Sequence, residues 1–223
     1  MTKKVGILGS GEVAQALGKG FVKHGYEVMM GTREGSKLDK WKSEAGGNAL
    51  VGSFAEAAKF GDIVVAAVKG TVVVGLIKSL SAHLAGKTVI DPGNPIADAP
   101  PVNGVLKFFT GPDDSLLERL QKVVPAAHFV KAFSSVGSSL MVNPVLSDGK
   151  PTMFIAGNND KARAEVSVIL DQFGWETADM GKAEAARAIE PLAILWCIPG
   201  FVNNQWKHAF KLMRTRIVIV YGY

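Results

Sequence analysis

The sequence predicts an α/β fold: a doubly wound, mostly parallel sheet with a small helical appendage at its C-terminal end. Two observations predict it. Short, uniformly apolar runs alternate with helical patterns from Val5 to about Thr177, the order that builds parallel strands covered by helices on both faces. From about Ala183 to Met213 only helical patterning remains, with a break expected at Pro199-Gly200 because proline lacks the amide hydrogen.

Taken in order, Val5 to Leu8 reads as a strand, Glu12 to His24 as a helix with Val13, Ala16, Leu17 and Phe21 on one face, and Glu27 to Met30 as the second strand, together one βαβ unit. Asn48 to Val51 is a weak strand, Phe54 to Phe60 a helix, Ile63 to Val68 a strand, Val72 to Leu84 a helix and Thr88 to Ile90 a strand. From Asp91 to Pro112 the composition turns to Pro, Gly, Asn and Asp, a long loop of the kind that domains keep for function. It leaves the sheet on the edge where ligands bind. Helix resumes at Ser115 to Val124, followed by a strand at His128 to Phe133, a Ser/Gly-rich turn, a strand at Met153 to Ile155, a helix from Asp160 to Phe173 and a strand near Trp175 to Thr177. The boundary between sheet domain and appendage is expected near residue 180, giving units 1–180 and 181–223. The end, Arg214 to Tyr223, has strand composition and suits a sheet edge, a dimer contact or a foreign tail.

The 223 residues suffice for a core without staples. With 48% hydrophobic and 20% charged residues, disordered, collagen-like and disulfide-rich classes drop out. The 25 Lys and Arg exceed the 20 Asp and Glu, leaving +5, which favours an anionic partner. The basic residues are scattered with no interleaved aromatic stripe, so nucleic acid is not expected. Cys197 is the only cysteine, so neither an intrachain disulfide nor a metal site is expected, and a reducing, cytoplasmic setting is. Val5 to Leu8 is too short for a signal core, and Pro191 to Val202 falls short of the roughly 18 residues of a membrane span. That stretch reads as buried core, with no membrane partner.

After the first strand stands Gly9-Ser10-Gly11-Glu12-Val13-Ala14, the pattern G-x-G-x-x-A. Gly9 allows the tight turn, Gly11 lets backbone N–H groups approach a pyrophosphate, and Ala14 lets helix and strand pack closely. A lone match means little, but here it joins strand to helix with a second strand at the right distance, the context of a Rossmann-type site. Residues 1–180 are therefore read as a dinucleotide-binding domain. Glu12 suits the positive end of the helix dipole if it points outward. At the end of the second strand, where an Asp or Glu would take the ribose 2′-hydroxyl of NAD, stand Gly31-Thr32-Arg33, with Lys37 a turn later. Arg33 can fork to a 2′-phosphate or stack on adenine, Thr32 can donate a hydroxyl, and Lys37 adds a point charge. No acid competes in this reading, so NADP is expected over NAD; the plainer alternative is a solvated basic helix face that also carries Lys40 and Lys42.

A ketone reductase needs a positioned acid. Tyr26, Tyr221 and Tyr223 have no Lys four residues on, Lys182 is followed at that spacing by Ala186 rather than Asn, and His24, His83, His128 and His208 sit at helix ends, a strand start and a late helix. Capping and packing are the simpler roles there, and no catalytic side chain is assigned. A flavin-like ring accepts hydride with the charge delocalised in its own ring system, so stacking geometry can suffice. Trp196 and Trp206 read as core or dimer contact.

These residues resemble the NADPH:F420 oxidoreductase-like family, related to the reductase domain of the STEAP metalloreductases. The resemblance rests on Gly9 to Ala14, Gly31-Thr32-Arg33, Val89-Ile90-Asp91-Pro92-Gly93-Asn94-Pro95, Val130-Lys131-Ala132-Phe133, and Ile189-Glu190-Pro191-Leu192 with Trp196, and spans nearly the whole chain to about Met213. It implies that Ser10, Gly11, Glu12 and Val13 hold the pyrophosphate, Thr32, Arg33 and Lys37 the 2′-phosphate, and Val68 and Lys69 the nicotinamide-side ribose. Asn94, Ala132, Phe133 and Ser134 would border the ring-stacking site. Family members often carry Asn-Thr after Ala-Phe, where this chain has Ser134-Ser135. Without the resemblance, Phe133 reads as core, Asn94-Pro95 as a turn and Lys131 as surface.

The expected function is hydride transfer between NADP(H) and coenzyme F420, FMN or FAD, the acceptor lying between the sheet edge and the C-terminal helices of a homodimer. The alternatives are an imine or carbonyl reductase of the β-hydroxyacid dehydrogenase type, with Lys182 or Asp179 as its acid, and a non-catalytic NADPH-binding redox sensor.

Overall fold

The apolar runs pair side by side as strands, and the amphipathic segments between them cover both faces of the resulting sheet. The structure, a computed structural model, describes residues 3–215. β1 (Lys4–Leu8) leads through α1 (Glu12–Lys23) to β2 (Glu27–Gly31); α2 (Asp39–Ala45), β3 (Ala49–Gly52), α3 (Phe54–Phe60) and β4 (Ile63–Ala66) follow, then α4 (Gly70–Ser79), α5 (Ser81–Leu84) and β5 (Thr88–Asp91). A long connection precedes α6 (Leu116–Val123), β6 (His128–Lys131), β7 (Thr152–Ile155), α7 (Asp160–Gln172), β8 (Glu176–Asp179), α8 (Ala186–Ile189) and α9 (Leu192–Asn203).

The main sheet has the order β3-β2-β1-β4-β5-β6, and every pair in it is parallel. Strand order reverses between β1 and β4, the switch point at which such sheets open a crevice at the C-terminal ends of their strands. Successive residues of β4 serve opposite faces. Ile63 and Val65 join Leu17, Phe21, Trp41 and Leu170 in one core, while Val64 and Ala66 join Ala57, Ile77, Leu117 and Leu120 in the other.

Three expectations need correction. β7 and β8 do not extend the main sheet; they form their own parallel pair, tied to it by the bridge Lys131↔Ala156. The chain leaves β6 two residues early because Phe133 takes a left-handed turn, φ 64°. The late helix does not break at Pro199-Gly200 but runs on to Asn203 and stops at the left-handed Asn204. Gly200 serves close packing instead, since a Cβ there would lie 2.3 Å from the ring of Trp206. Residues 204–215 form neither helix nor strand. His208 in that segment stacks on Trp196 with centroids 5.0 Å apart, and the Phe210 carbonyl accepts from the Thr152 amide.

The apolar stretch of α9 is likewise only half core. Ala193, Trp196 and Gly200 are buried, but Leu195, Phe201 and Val202 are 55%, 46% and 59% exposed. By length and composition the run Ala183–Asn203 reaches that of a membrane-crossing helix, and 33% of its most apolar window is buried. The expected tail strand lies, beyond Thr215, outside the described residues.

Candidate dinucleotide site at the C-terminal sheet edge

Parallel pairing delivers the segments after β1, β2, β4, β5 and β6 to one edge. At the switch point a cleft of about 490 Å³ is lined by Gly11, Glu12, Val13, Val68, Lys69 and Asn94, with Ile96, Ala97 and Asp98 from the long loop.

The glycine turn has the two properties that its motif requires. Gly9 sits at φ +142°, and a Cβ there would lie 2.2 Å from the Ala67 carbonyl oxygen, so β1 can reach α1 only through glycine. Gly11 is the N-cap of α1, and no side chain caps that helix. Among the described residues, nothing lies within 4 Å of where a Gly11 Cβ would be. The first-turn amides, which have no partner within a helix, therefore face open space beside a positive helix end. Gln15 Nε2 donates to the Ser10 carbonyl at 2.8 Å and fixes the loop, while Glu12, an exposed residue, lines the cleft.

At the end of β2 the geometry departs from the sequence reading. Arg33 is exposed and forms no ion pair or side-chain hydrogen bond among the described residues. Thr32 Oγ1 is occupied locally, accepting from the Glu34 amide at 3.2 Å. Lys37 Nζ lies 2.7 Å from Glu34 Oε2. An acid does compete here, because the short helical turn from Gly35 to Leu38 brings Lys37 back over Glu34. The hydrogen bond from Lys37 holds the Glu34 carboxyl below the usual carboxylate range. The i,i+3 spacing of Glu34 and Lys37 is the sequence signal of this pair.

On the other side of the switch point, Lys69 is the N-cap of α4 and lacks a side-chain cap bond; its Nζ lies 3.9 Å from Asp98 Oδ1, both groups exposed. Asn94 is held tightly. Its Nδ2 donates to the Ser134 carbonyl at 2.7 Å, and its own carbonyl oxygen lies 2.2 Å from where a Cβ on Gly70 would be. Among the described residues, Asn94 Oδ1 and Ser134 Oγ are buried without a protein partner, an arrangement that natural cores avoid unless a ligand or water completes it. Ala132 and Phe133 are both fully buried, and the Phe133 ring packs 6.1 Å from Phe173. What these two offer an edge ligand is backbone, not a stacking face. The residues thus fit a dinucleotide at three points: uncapped amides, an unpaired guanidinium and orphaned polar atoms.

Lys131, read from sequence as a surface residue, is fully buried. Its Nζ meets Asp91 Oδ2 at 2.5 Å and Glu190 Oε1 at 2.9 Å, and donates to the Gly93 carbonyl at 2.7 Å. Burial works against the ammonium, but the two carboxylates outweigh it and raise the lysine pKa above its ordinary value. The signal was in the sequence: a lysine ends one apolar strand and an aspartate ends its neighbour, in register.

The titratable groups on the cleft are Glu12, Lys69 and Asp98. Lys182 and Asp179, the acids of the imine-reductase alternative, are engaged elsewhere: Lys182 Nζ is 3.2 Å from Asp160 Oδ1, and Asp179 pairs with Arg163 at 2.8 Å. His24 stands 3.3 Å from Asn143 Oδ1 at the end of α1.

Residues 4–95 match the family model described as NADP oxidoreductase, coenzyme F420-dependent. Over 201 residues the chain is 32% identical to metalloreductase STEAP3 of Rattus norvegicus, an alignment covering 88% of this chain and 38% of that one. Over 144 residues it is 31% identical to the F420-dependent NADP reductase of Methanocaldococcus jannaschii, covering 63% and 62%. The chain spans less than two thirds of the length of either relative. A crystal structure from Arthrobacter sp. FB24, provisionally assigned as an F420-dependent NADP-reductase, matches with a TM-score of 0.87 at 27% identity, covering 96% of this chain and 100% of that one. Residues 4–95 are thus similar to the F420-dependent NADP oxidoreductase model, and the fold of nearly the whole chain is similar to that of the Arthrobacter protein.

Proposed function

We propose that the chain binds NADP(H) along the C-terminal sheet edge and passes hydride between it and a flavin-like ring, coenzyme F420 or FMN or FAD. The observation that carries this reading is the uncapped start of α1 facing the open space at Gly11, with the unpaired Arg33 one strand away. The first-turn amides would take the pyrophosphate, and Arg33 the 2′-phosphate, with Lys37 free to join once it leaves Glu34. With the adenosine half over β2, the nicotinamide half runs toward β4 and β5, where Val68 and Lys69 flank the ribose. Asn94 Oδ1 and Ser134 Oγ would supply polar contacts to the ring. When bound, the coenzyme supplies a hydride at nicotinamide C4.

The protein's part is to orient two rings, since the cleft's ionisable groups are exposed ones and a conjugated acceptor delocalises the added charge. Water at the cleft mouth can deliver the proton that the reduced acceptor takes up. The names of the relatives, an F420-dependent NADP reductase and a metalloreductase, support the coenzyme and the reaction class. A homodimer through the exposed strip of Leu195, Phe201 and Val202 on α9 belongs to the same proposal. Anaerobic stopped-flow mixing with NADPH and each of F420, FMN and FAD tests the reaction. Oxidation of NADPH by at least one is expected, and inertness toward all three overturns it.

A further inference from the structure

Two carboxylates and an ammonium in a dry interior are not what stability alone selects, because apolar side chains of the same volume avoid the desolvation cost. The Asp91–Lys131–Glu190 cluster holds four backbone groups. Lys131 Nζ binds the Gly93 carbonyl at 2.7 Å, and Asp91 Oδ1 accepts from the Gly93 amide at 2.8 Å. Glu190 accepts from the amides of Leu116 and Leu117 at 2.9 and 3.1 Å, the start of α6. Both sides of Gly93 are therefore pinned, and all three donors of the ammonium are used. The next residue is Asn94, whose carbonyl oxygen abuts Gly70 and whose Nδ2 reaches Ser134.

We infer that Lys131 is a positioning residue: by clamping Gly93 it fixes Asn94, a residue of the cleft lining, and so orders the nicotinamide ring, without touching the coenzyme itself. The inference rests on the proposed NADP(H) site. It separates two things that a merely structural lysine would move together, since the adenosine-side anchors at Gly11 and Arg33 belong to other loops. Loss of the clamp should leave the coenzyme bound and its ring loose.

The test uses the whole chain and NADPH alone, with no acceptor. Lys131→Met removes the ammonium at similar volume; Lys131→Met with Asp91→Asn also removes one of the buried anions it would leave unpaired. Calorimetry gives affinity, and the emission and anisotropy of bound NADPH report the order of its nicotinamide. Affinity should change by less than about threefold, roughly 0.7 kcal/mol, while emission and anisotropy fall to those of the free coenzyme. Ile63→Ala, a cavity at the far end of β4, should lower the thermal midpoint yet keep the bound emission. Wild-type emission in either folded Lys131 variant overturns the inference, as does loss of emission in Ile63→Ala. A double variant that cannot fold also counts against it, since the cluster would then be a stability element first. If the wild type takes up no NADPH, the functional reading fails instead.

Discussion

Replacing Arg33 by alanine removes a guanidinium that the folded protein does not use. The side chain is exposed and makes no ion pair or side-chain hydrogen bond among the described residues, so the change should leave stability within about 0.5 kcal/mol. Any loss in binding then belongs to the ligand. A hydrogen bond to a charged group contributes about 1.5–3 kcal/mol, and a forked guanidinium–phosphate contact lies at the upper part of that range. A central value of about 2 kcal/mol corresponds to roughly 30-fold weaker binding. NADH lacks the phosphate and should bind the variant and the wild type alike. Calorimetric titration of both proteins with both coenzymes, beside thermal melts, gives all the needed numbers. Equal weakening for NADH and NADPH would refute the reasoning, because it would mean that Arg33 stacks on adenine or serves the fold rather than reading the phosphate.

Further outcomes follow from neighbouring features. Glu34→Gln frees Lys37 from its 2.7 Å partner and should tighten NADPH while leaving NADH unmoved; weaker or unchanged NADPH binding in the same titration would remove Lys37 from the phosphate site. Gly9→Ala forces a Cβ against the Ala67 carbonyl at φ +142° and should cost at least about 2 kcal/mol in urea denaturation; a change below about 0.5 kcal/mol would contradict the turn's role. Glu118 is held below its ordinary pKa first by the hydrogen bond from Arg187. A depressed carboxylate stabilises the fold at pH above its unfolded value, and that contribution is lost as pH falls through the lower folded value. Thermal midpoints of wild type and Glu118→Gln should therefore converge on acidification from neutral pH, and parallel curves would rule out the pair as the cause. Leu195→Glu places a charge on the exposed strip of α9 and should yield a monomer by light scattering, against the dimer proposed for the wild type; an unchanged mass would displace the interface.

Elements whose patterning is set by local chemistry were legible in the sequence. Uniform apolarity located β1, β4 and β5, the glycine motif located the start of α1, and the composition of 91–112 located the loop that walls the cleft. What was missed depends on partners distant in sequence. Lys131 looks like a surface charge until Asp91 and Glu190 surround it. Gly200 looks like a helix breaker until Trp206 returns to pack on it, and Phe133 becomes core only because Phe173 covers its ring. Glu34 differs again: it stands just beyond Gly31-Thr32-Arg33, and only the turn from Gly35 to Leu38 brings Lys37 back onto it.

The edge of the sheet at Gly11 and Arg33 is proposed to take a phosphorylated dinucleotide. Titration of the unmodified protein with NADPH in a calorimeter tests it most directly. One site per chain is expected, with a dissociation constant well below about 1 mM and tighter than for NADH. No heat up to that concentration, or no preference for the phosphorylated coenzyme, would contradict the account.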